Sequence, residues 1–305
     1  MRNMMCVLLL CGSVALASGQ IRITATRQLD LPAGQQWRAP RFAPDGLSIF
    51  LTTNGYAGIY RYVIATGELQ TVTDEPGAGF GFAVSNDSNR LAYRRTTHGR
   101  TAFDRTQEIV DVDLRHQTRV QRATGDNLST PVFHHETILY SKGAETANIP
   151  QADGTAQSAV LLGIEETKIA IVVNGRKILL DPFGDGSYIW PSLSPDGSTL
   201  VAYEMARGTF VCDLTGKVEA RLGRRDAPVW TRDGRWIISV EEKGDGHQIS
   251  GADLFALALD GSTVVRLTDS PAIELNPSCS PSSNTILCNT ADGKILLLQY
   301  EEGLR

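Results

Sequence analysis

Hydrolysis through a serine needs a nucleophile on a tight G-x-S-x-G turn, with an acid and a histidine further along the chain. No such pentapeptide occurs, and His247 is the only histidine after residue 135. A phosphate-cradling G-x-x-x-x-G-K-[ST] loop is also absent, and Gly77-Ala78-Gly79-Phe80-Gly81 lies between strand-like segments rather than ahead of a helix. Those glycines read as room for a close chain entry. His134-His135-Glu136 occupies a turn, where adjacent side chains diverge and supply one or two ligands, short of the three that a catalytic zinc centre takes from its protein. The stretch from Asp181 to Ser187, with Asp185 and Gly186, matches a calcium loop in composition but lacks its spaced carboxylates ending in glutamate. No catalytic residue, metal or cofactor is therefore expected.

Two patterns of charge remain. Arg94, Arg95, His98, Arg100 and Arg105 form the one basic patch of a chain with 29 Lys and Arg against 34 Asp and Glu, a net charge of -5. The patch could meet a carboxylate-rich partner, or be a solvated edge paired with Asp104, Glu108 and Asp111. The overall acidic field opposes a polyphosphate, so nucleic acid is not expected as a partner. Acids also recur at intervals along the whole chain, and their meaning depends on the elements that carry them.

Those elements come from a repeat. Pro40-Arg41-Phe42-Ala43-Pro44-Asp45-Gly46 returns as Pro191-Ser192-Leu193-Ser194-Pro195-Asp196-Gly197, as Pro228-Val229-Trp230-Thr231-Arg232-Asp233-Gly234 and as Pro277-Ser278-Cys279-Ser280-Pro281-Ser282-Ser283. Weaker copies start at Phe82 and Pro131, making six. Each predicts a tight β-hairpin, since Pro presets φ, Asp bonds its own backbone and Gly accepts a positive φ. Alternating segments after each hairpin predict a third strand and, after a Gly-containing turn, a fourth. Lys168–Val173 and Lys177–Leu180 fill those places in the third unit. The last unit lacks a fourth strand, and Ile21 to Leu29 is expected to supply it and close the ring. Asp87 and Asp196 are 109 positions apart, read as two units plus an insertion at about 144–157.

This pattern, with Asp253-Leu254-Phe255-Ala256-Leu257-Ala258-Leu259-Asp260-Gly261 and Arg266-Leu267-Thr268-Asp269, resembles the repeat of TolB-type six-bladed β-propellers. The resemblance implies an all-β fold, a six-bladed propeller of four-stranded antiparallel blades, and contacts with proteins of the cell envelope. Only about twenty residues precede the first unit, so the role of the α/β domain found ahead of the propeller in TolB is not carried over. In such a ring the loops joining each fourth strand to the next first strand share one face. Each holds acid: Asp30, then Asp74 and Glu75, Asp126, Asp181 and Asp185, Asp226, and Asp269 and Glu274. These are candidate binding residues around the channel mouth, where low-dielectric walls focus a field. Capping of turn amides by each Asp is the competing reading.

At the N-terminus, Arg2 precedes an apolar run from Met4 to Leu10 and an Ala15-Leu16-Ala17 site. This predicts a signal peptide over 1–17, too short to span a membrane, and a single propeller domain over 18–305 that is periplasmic or secreted. Lipidation at Cys11 is the rival, with the bulky Leu10 against it. Cys212, Cys279 and Cys288 are then expected as buried thiols rather than a disulfide. The expected function is a non-catalytic platform for an envelope protein or peptide. The alternatives are a carbohydrate-active or hydrolytic enzyme with its site at the channel mouth, or a structural subunit of an envelope complex.

Overall fold

The computed structural model describes residues 20–99, 104–143, 145–149, 159–244 and 249–303. The expected signal peptide, Cys11, Arg100 and His247 lie outside them. The first sheet comprises β2 (Trp37–Phe42), β3 (Ser48–Thr53), β4 (Ile59–Val63) and β5 (Leu69–Thr73), and the second β6 (Ala83–Val84), β7 (Arg90–His98), β8 (Arg105–Asp113) and β9 (Thr118–Gly125). Two three-stranded sheets follow: β10 (Val132–His134), β11 (Thr137–Lys142) and β12 (Glu145–Ala147), then β13 (Ala159–Glu165), β14 (Lys168–Val173) and β15 (Arg176–Leu180). The fifth holds β16 (Tyr188–Leu193), β17 (Thr199–Glu204), β18 (Gly208–Asp213) and β19 (Val218–Gly223); the sixth β20 (Asp226–Trp230), β21 (Trp236–Gly244), β22 (Ile249–Ala258) and β23 (Val264–Arg266). The seventh orders β24 (Glu274–Cys279), β25 (Thr285–Thr290), β26 (Ile295–Glu302) and, outermost, β1 (Ile21–Gln28).

These sheets are the blades of a propeller, and its core is divided among the seams between them. Seven apolar clusters serve seven seams: Phe50 with Leu91 and Tyr93, Ala92 with Ile138, Leu139 with Val160 and Val172, Ile171 with Leu200 and Phe210, Val201 with Ile237, Leu254 with Ile286, and Leu287 with Ile49 and Trp37. A strand held between two blades is covered on both faces, so it reads as a continuous run rather than an alternation. Accordingly β3 and β25 are buried at all six positions. β24 packs on β2 to close the ring, and β1 pairs with β26 from Ile21 opposite Glu302 to Gln28 opposite Leu296.

The blade count corrects the sequence reading: there are seven blades, not six. Lys168–Val173 and Lys177–Leu180 are not the third and fourth strands of a third blade, but the middle and outer strands of a separate sheet begun by β13. The β13–β14 hairpin carries no Pro, Asp or Gly signal, because its turn residues Glu166 and Thr167 take φ of 48° and 67° as ordinary side chains. Part of the expected insertion, Glu145–Ala147, is strand β12. Residues 144 and 150–157 of it lie outside the described residues.

Strand parity couples the two short blades. Four antiparallel strands return the chain to the face it entered from, whereas three deliver it to the opposite face. β13 runs back from that opposite face, as the position of its far end shows. Its turn with β14 sits on the entry face, where Thr167 O accepts the N–H of Tyr188 at 2.9 Å at the start of β16. The second odd blade restores the direction for the remaining three.

The repeat has two local devices. At the turn, a hydroxyl bridges the hairpin: Ser194 Oγ donates to Asp196 at 2.6 Å and accepts the N–H of Thr199 at 3.0 Å, and Thr231 does the same with Asp233 and Trp236 at 2.8 and 3.1 Å. Each Asp then accepts the N–H two residues on, while Gly46, Gly197 and Gly234 supply φ near +70°. In the inner strand, the residue before the repeat's first proline is left-handed: Ala39, Trp190, Ala227 and Asn276 have φ of 45° to 53°. Each falls in a register break with the second strand, and a pre-proline residue ordinarily avoids the helical regions. The bulge re-aims the inner strand beside the channel.

Candidate functional site at the channel mouth

The face carrying the blade-joining loops also carries the turns between second and third strands. Gly58 N donates to Glu75 O at 3.0 Å and Ala291 N to Ile273 O at 2.9 Å, tying the two kinds of loop together. Two hairpins rise above this face. β7, β8, β21 and β22 have nine or ten residues where β3, β4, β17 and β18 have five or six, an extra height of roughly 10 Å at 3.3 Å per residue. Blades two and six thus flank the seam between blades seven and one.

In that seam lies a cavity of about 360 Å³, lined by Arg38, Ala39, Thr53, Asn54, Gly55, Tyr56, Leu275, Asn276, Asn289 and Ala291. Arg38 spans to the last blade, donating to Thr290 O and Ala291 O at 2.9 Å each, and to Gln36 Oε1 at 3.2 Å. Asn289, fully buried, accepts from Ala39 N at 3.1 Å and from Asn276 Nδ2 at 2.9 Å. Tyr56 stands exposed against Phe80, edge to face with centroids 5.2 Å apart. Trp190 and Met205 are exposed on the loops and bulge of blade five.

Three residues beyond Arg38 on β2, Arg41 lies over the Phe82 ring at 5.1 Å and donates to Phe82 O at 3.2 Å. Burial lowers its pKa. The matching positions on the other inner strands are Ala83, Val132, Ser192, Val229 and Ser278, facing Ala92, Leu139, Val201, Ile238 and Leu287 as Arg41 faces Phe50. Arg41 is the sole charge among these equivalents.

The acids singled out from sequence occupy varied settings. Glu75 accepts from Tyr93 Oη at 2.7 Å and pairs with Arg95 at 3.1 Å. Asp181 pairs with Lys168 at 2.6 Å; burial disfavours its charge, yet bonds from Lys168, Tyr188 Oη and Gly186 N outweigh that and hold it at about 2. Asp185 pairs with Arg207 at 2.8 Å and Asp269 with Arg266 at 2.6 Å. Glu274 is buried, takes bonds from Thr268 and Ser270, and burial raises its pKa. Asp226 is half-buried with its pKa raised by burial, and its charge adds to the burial that raises Glu242. Asp74 and Asp126 stand exposed without an ion pair among the described residues.

Of the basic patch, Arg95 also pairs with Glu108, and Arg94 donates to Leu128 O at 2.6 Å. His98 is exposed at the end of β7 and Arg100 lies outside the described residues. Sequence reasoning missed the cavity, because Arg38, Asn276 and Asn289 come from two ends of the chain joined only by ring closure. The free cysteines are Cys212, Cys279 and Cys288, and burial pushes the Cys212 thiol up to about 12. The rings of His134, at the end of β10, and His135 meet edge to face at 4.4 Å, and no group of three potential metal ligands occurs among the described residues.

No family model matches the chain. An uncharacterized protein of Agrobacterium fabrum is 30% identical over 113 residues, 35% of this chain and 37% of that protein, so the match spans little more than a third of the relative. Among solved structures, TolB from Acinetobacter baumannii is similar at a TM-score of 0.56 and 16% identity, covering 83% of this chain and 59% of that one. An oligogalacturonate lyase from Vibrio parahaemolyticus gives 0.53 and 13%, covering 89% and 79%. The Swd1 propeller domain from Myceliophteria thermophila gives 0.61 and 11%, covering 92% and 99%. At these identities the likeness is one of fold, a β-propeller.

Proposed function

We propose that this propeller is an exported, non-catalytic platform that binds a polypeptide on its channel-mouth face. The observation that carries the reading is the set of large apolar side chains left standing there. Tyr56, Phe80, Trp190 and Met205 are 44%, 52%, 45% and 54% exposed; Tyr56 lines the cavity with Phe80 against it, and Trp190 and Met205 stand on the inner strand and a loop of blade five. Aromatic and Met side chains are the residue types enriched at protein interfaces, while scattered exposed aliphatics need no explanation. Most carboxylates of the same face are engaged by Arg, Lys or turn hydroxyls, as an interface scaffold would hold them. No helix among the described residues is long and apolar enough to cross a membrane.

The test is site-specific photocrosslinking in envelope fractions. Probes at Phe80 and Trp190 are expected to give an adduct with one polypeptide that probes at Val120 and Ile178, on outer strands, do not give. Adducts from both sets alike would count against the mouth. Degradation of oligogalacturonate by the purified protein would favour instead the enzyme reading that the lyase neighbour brings in.

A further inference from the structure

We propose that one water molecule is bound in the seam between blades five and six, held by Ser239 Oγ, Asp253 Oδ1 and Arg225 Nε, and that it locks the segment joining these blades to the raised hairpin of blade six. The site is independent of what the mouth binds. Among the described residues, three buried side-chain atoms find no hydrogen-bond partner in the protein, and they are these three. A buried carboxylate oxygen or guanidinium N–H left unmet costs more than an ordinary bond contributes, so buried polar groups are met by protein or by ordered water.

The register brings the three together. On β21 and β22, Ser239 lies opposite Phe255 and Glu241 opposite Asp253. Alternate residues of a strand share a face, and Ile237, Phe255 and Leu257 pack with Val201 and Leu222 of blade five, so these four side chains point into that seam. Ser239 and Asp253 are diagonal neighbours, with Cβ atoms ~7 Å apart. Their short side chains leave a gap that one water spans. Arg225 lies across the same four residues: its Cζ is 5.2 Å from the centre of the Phe255 ring, and its Nη2 reaches Glu241 at 2.7 Å. Its Nη1 donates to Leu222 O at 3.2 Å, while Nε has no partner.

The chemistry selects a neutral occupant. Ser239 and Asp253 are 0% and 2% exposed. Lys243 and Arg266 both donate to Asp253 Oδ2, at 3.0 and 2.7 Å. Burial disfavours the charge of Asp253, yet those two bonds hold its pKa below the usual carboxylate range, so Oδ1 is an acceptor in need of a donor. Arg266 also pairs with Asp269, and Arg225 with Glu241. Three cations thus face three carboxylates in this cluster, and an ion of either sign would add charge that nothing there offsets. Water has the matching complement: it accepts from Arg225 Nε, donates to Asp253 Oδ1 and takes either role with the Ser239 hydroxyl. The backbone of Arg225 is tied to blade five, where Thr209 Oγ1 donates to Arg225 O, so the water completes the tie of its side chain to blade six.

A high-resolution crystal structure of the unaltered protein tests this. One solvent peak should stand within about 3.2 Å of all three atoms, and crystals grown with rubidium in place of sodium should add no anomalous signal to it. Ser239→Thr and Ser239→Val differ only in a hydroxyl for a methyl, so they share any crowding of the seam. The Thr variant should keep the peak, and the Val variant should lose it and unfold at a lower urea concentration than the Thr variant. The unaltered protein decides the matter should either variant fail to fold. Direct contact of Ser239 Oγ with Asp253 Oδ1, a peak out of reach of any one of the three atoms, rubidium signal at the peak, or equal urea midpoints for the two variants overturns the site.

Discussion

Asn289 Oδ1 accepts the backbone N–H of Ala39 at 3.1 Å, across the seam where the last blade meets the first. Ala39 is left-handed and precedes a proline, so its conformation has little intrinsic support. The same oxygen takes the amide of Asn276, itself left-handed at φ 53°. One buried side chain thus fixes both strained inner strands around the cavity. Asn289→Ala should destabilise the fold by about 1–3 kcal/mol, the net worth of two part-buried hydrogen bonds. Urea unfolding measures it, and a loss below a few tenths of a kcal/mol would show that the bulges hold themselves.

Ring closure predicts a second effect. β1 supplies the outer strand of the last blade, and Ile21 is buried in the seam between blades six and seven. Ile21→Ala should cost about 2–5 kcal/mol, and deletion of 20–28 more than that. Thermal melts that coincide with the parent would mean that β1 is an ornament.

The glycine-free turn of the fourth blade is an available improvement. Glu166 and Thr167 both hold positive φ in a two-residue hairpin, where Asn-Gly is the favoured pair. Replacing them by Asn-Gly should raise stability by about 1 kcal/mol, since left-handed residues with side chains carry a penalty of that order. The bond from Tyr188 N goes to a backbone oxygen and survives the change. Equal or lower stability by urea titration would indicate that the Glu166 or Thr167 side chain holds a contact of its own.

Acid should loosen the hairpin turns. The Ser85 hydroxyl, followed by the side chain and N–H of Asn89, holds the Asp87 carboxyl down at about 2, and Ser194 and Ser198 lower Asp196 likewise. A carboxylate whose folded pKa lies below its unfolded value of about 3.9 contributes its stability fully above that value. The contribution disappears as pH falls from about 4 toward 2. Ser85→Ala should move the Asp87 titration upward, read by NMR of its carboxyl carbon. An unmoved titration would assign the depression to other neighbours.

Much of the architecture is legible because its signals are local. Pro-x-x-x-Pro-Asp-Gly specifies a hairpin from seven residues, and Asn174-Gly175 announces the turn between β14 and β15, where φ is 49° and 75°. The count of blades is not local. It hinged on β13, whose turn uses Glu and Thr, and on β12, which pairs over three residues only. The mouth was legible as a face but not as a site. Acids in the joining loops are visible one by one, whereas their Arg and Lys partners come from neighbouring strands. Arg41 stood in the strongest copy of the repeat and could have been noticed there, as a charge where the other copies place Ala, Val or Ser.

The coupling of the two three-stranded blades bears on how blade number changes in evolution. Without β12 and β13, the strands β10, β11, β14 and β15 would run down, up, down and up, the order of every four-stranded blade in the ring. Among the described residues, blades three and four together thus hold the strands of one four-stranded blade plus two more, β12 and β13. With the joining loops otherwise unchanged, a single added strand would turn every later loop, and the half of the mouth they build, onto the opposite face. With short connections, gains and losses at this place in the ring therefore favour pairs of strands.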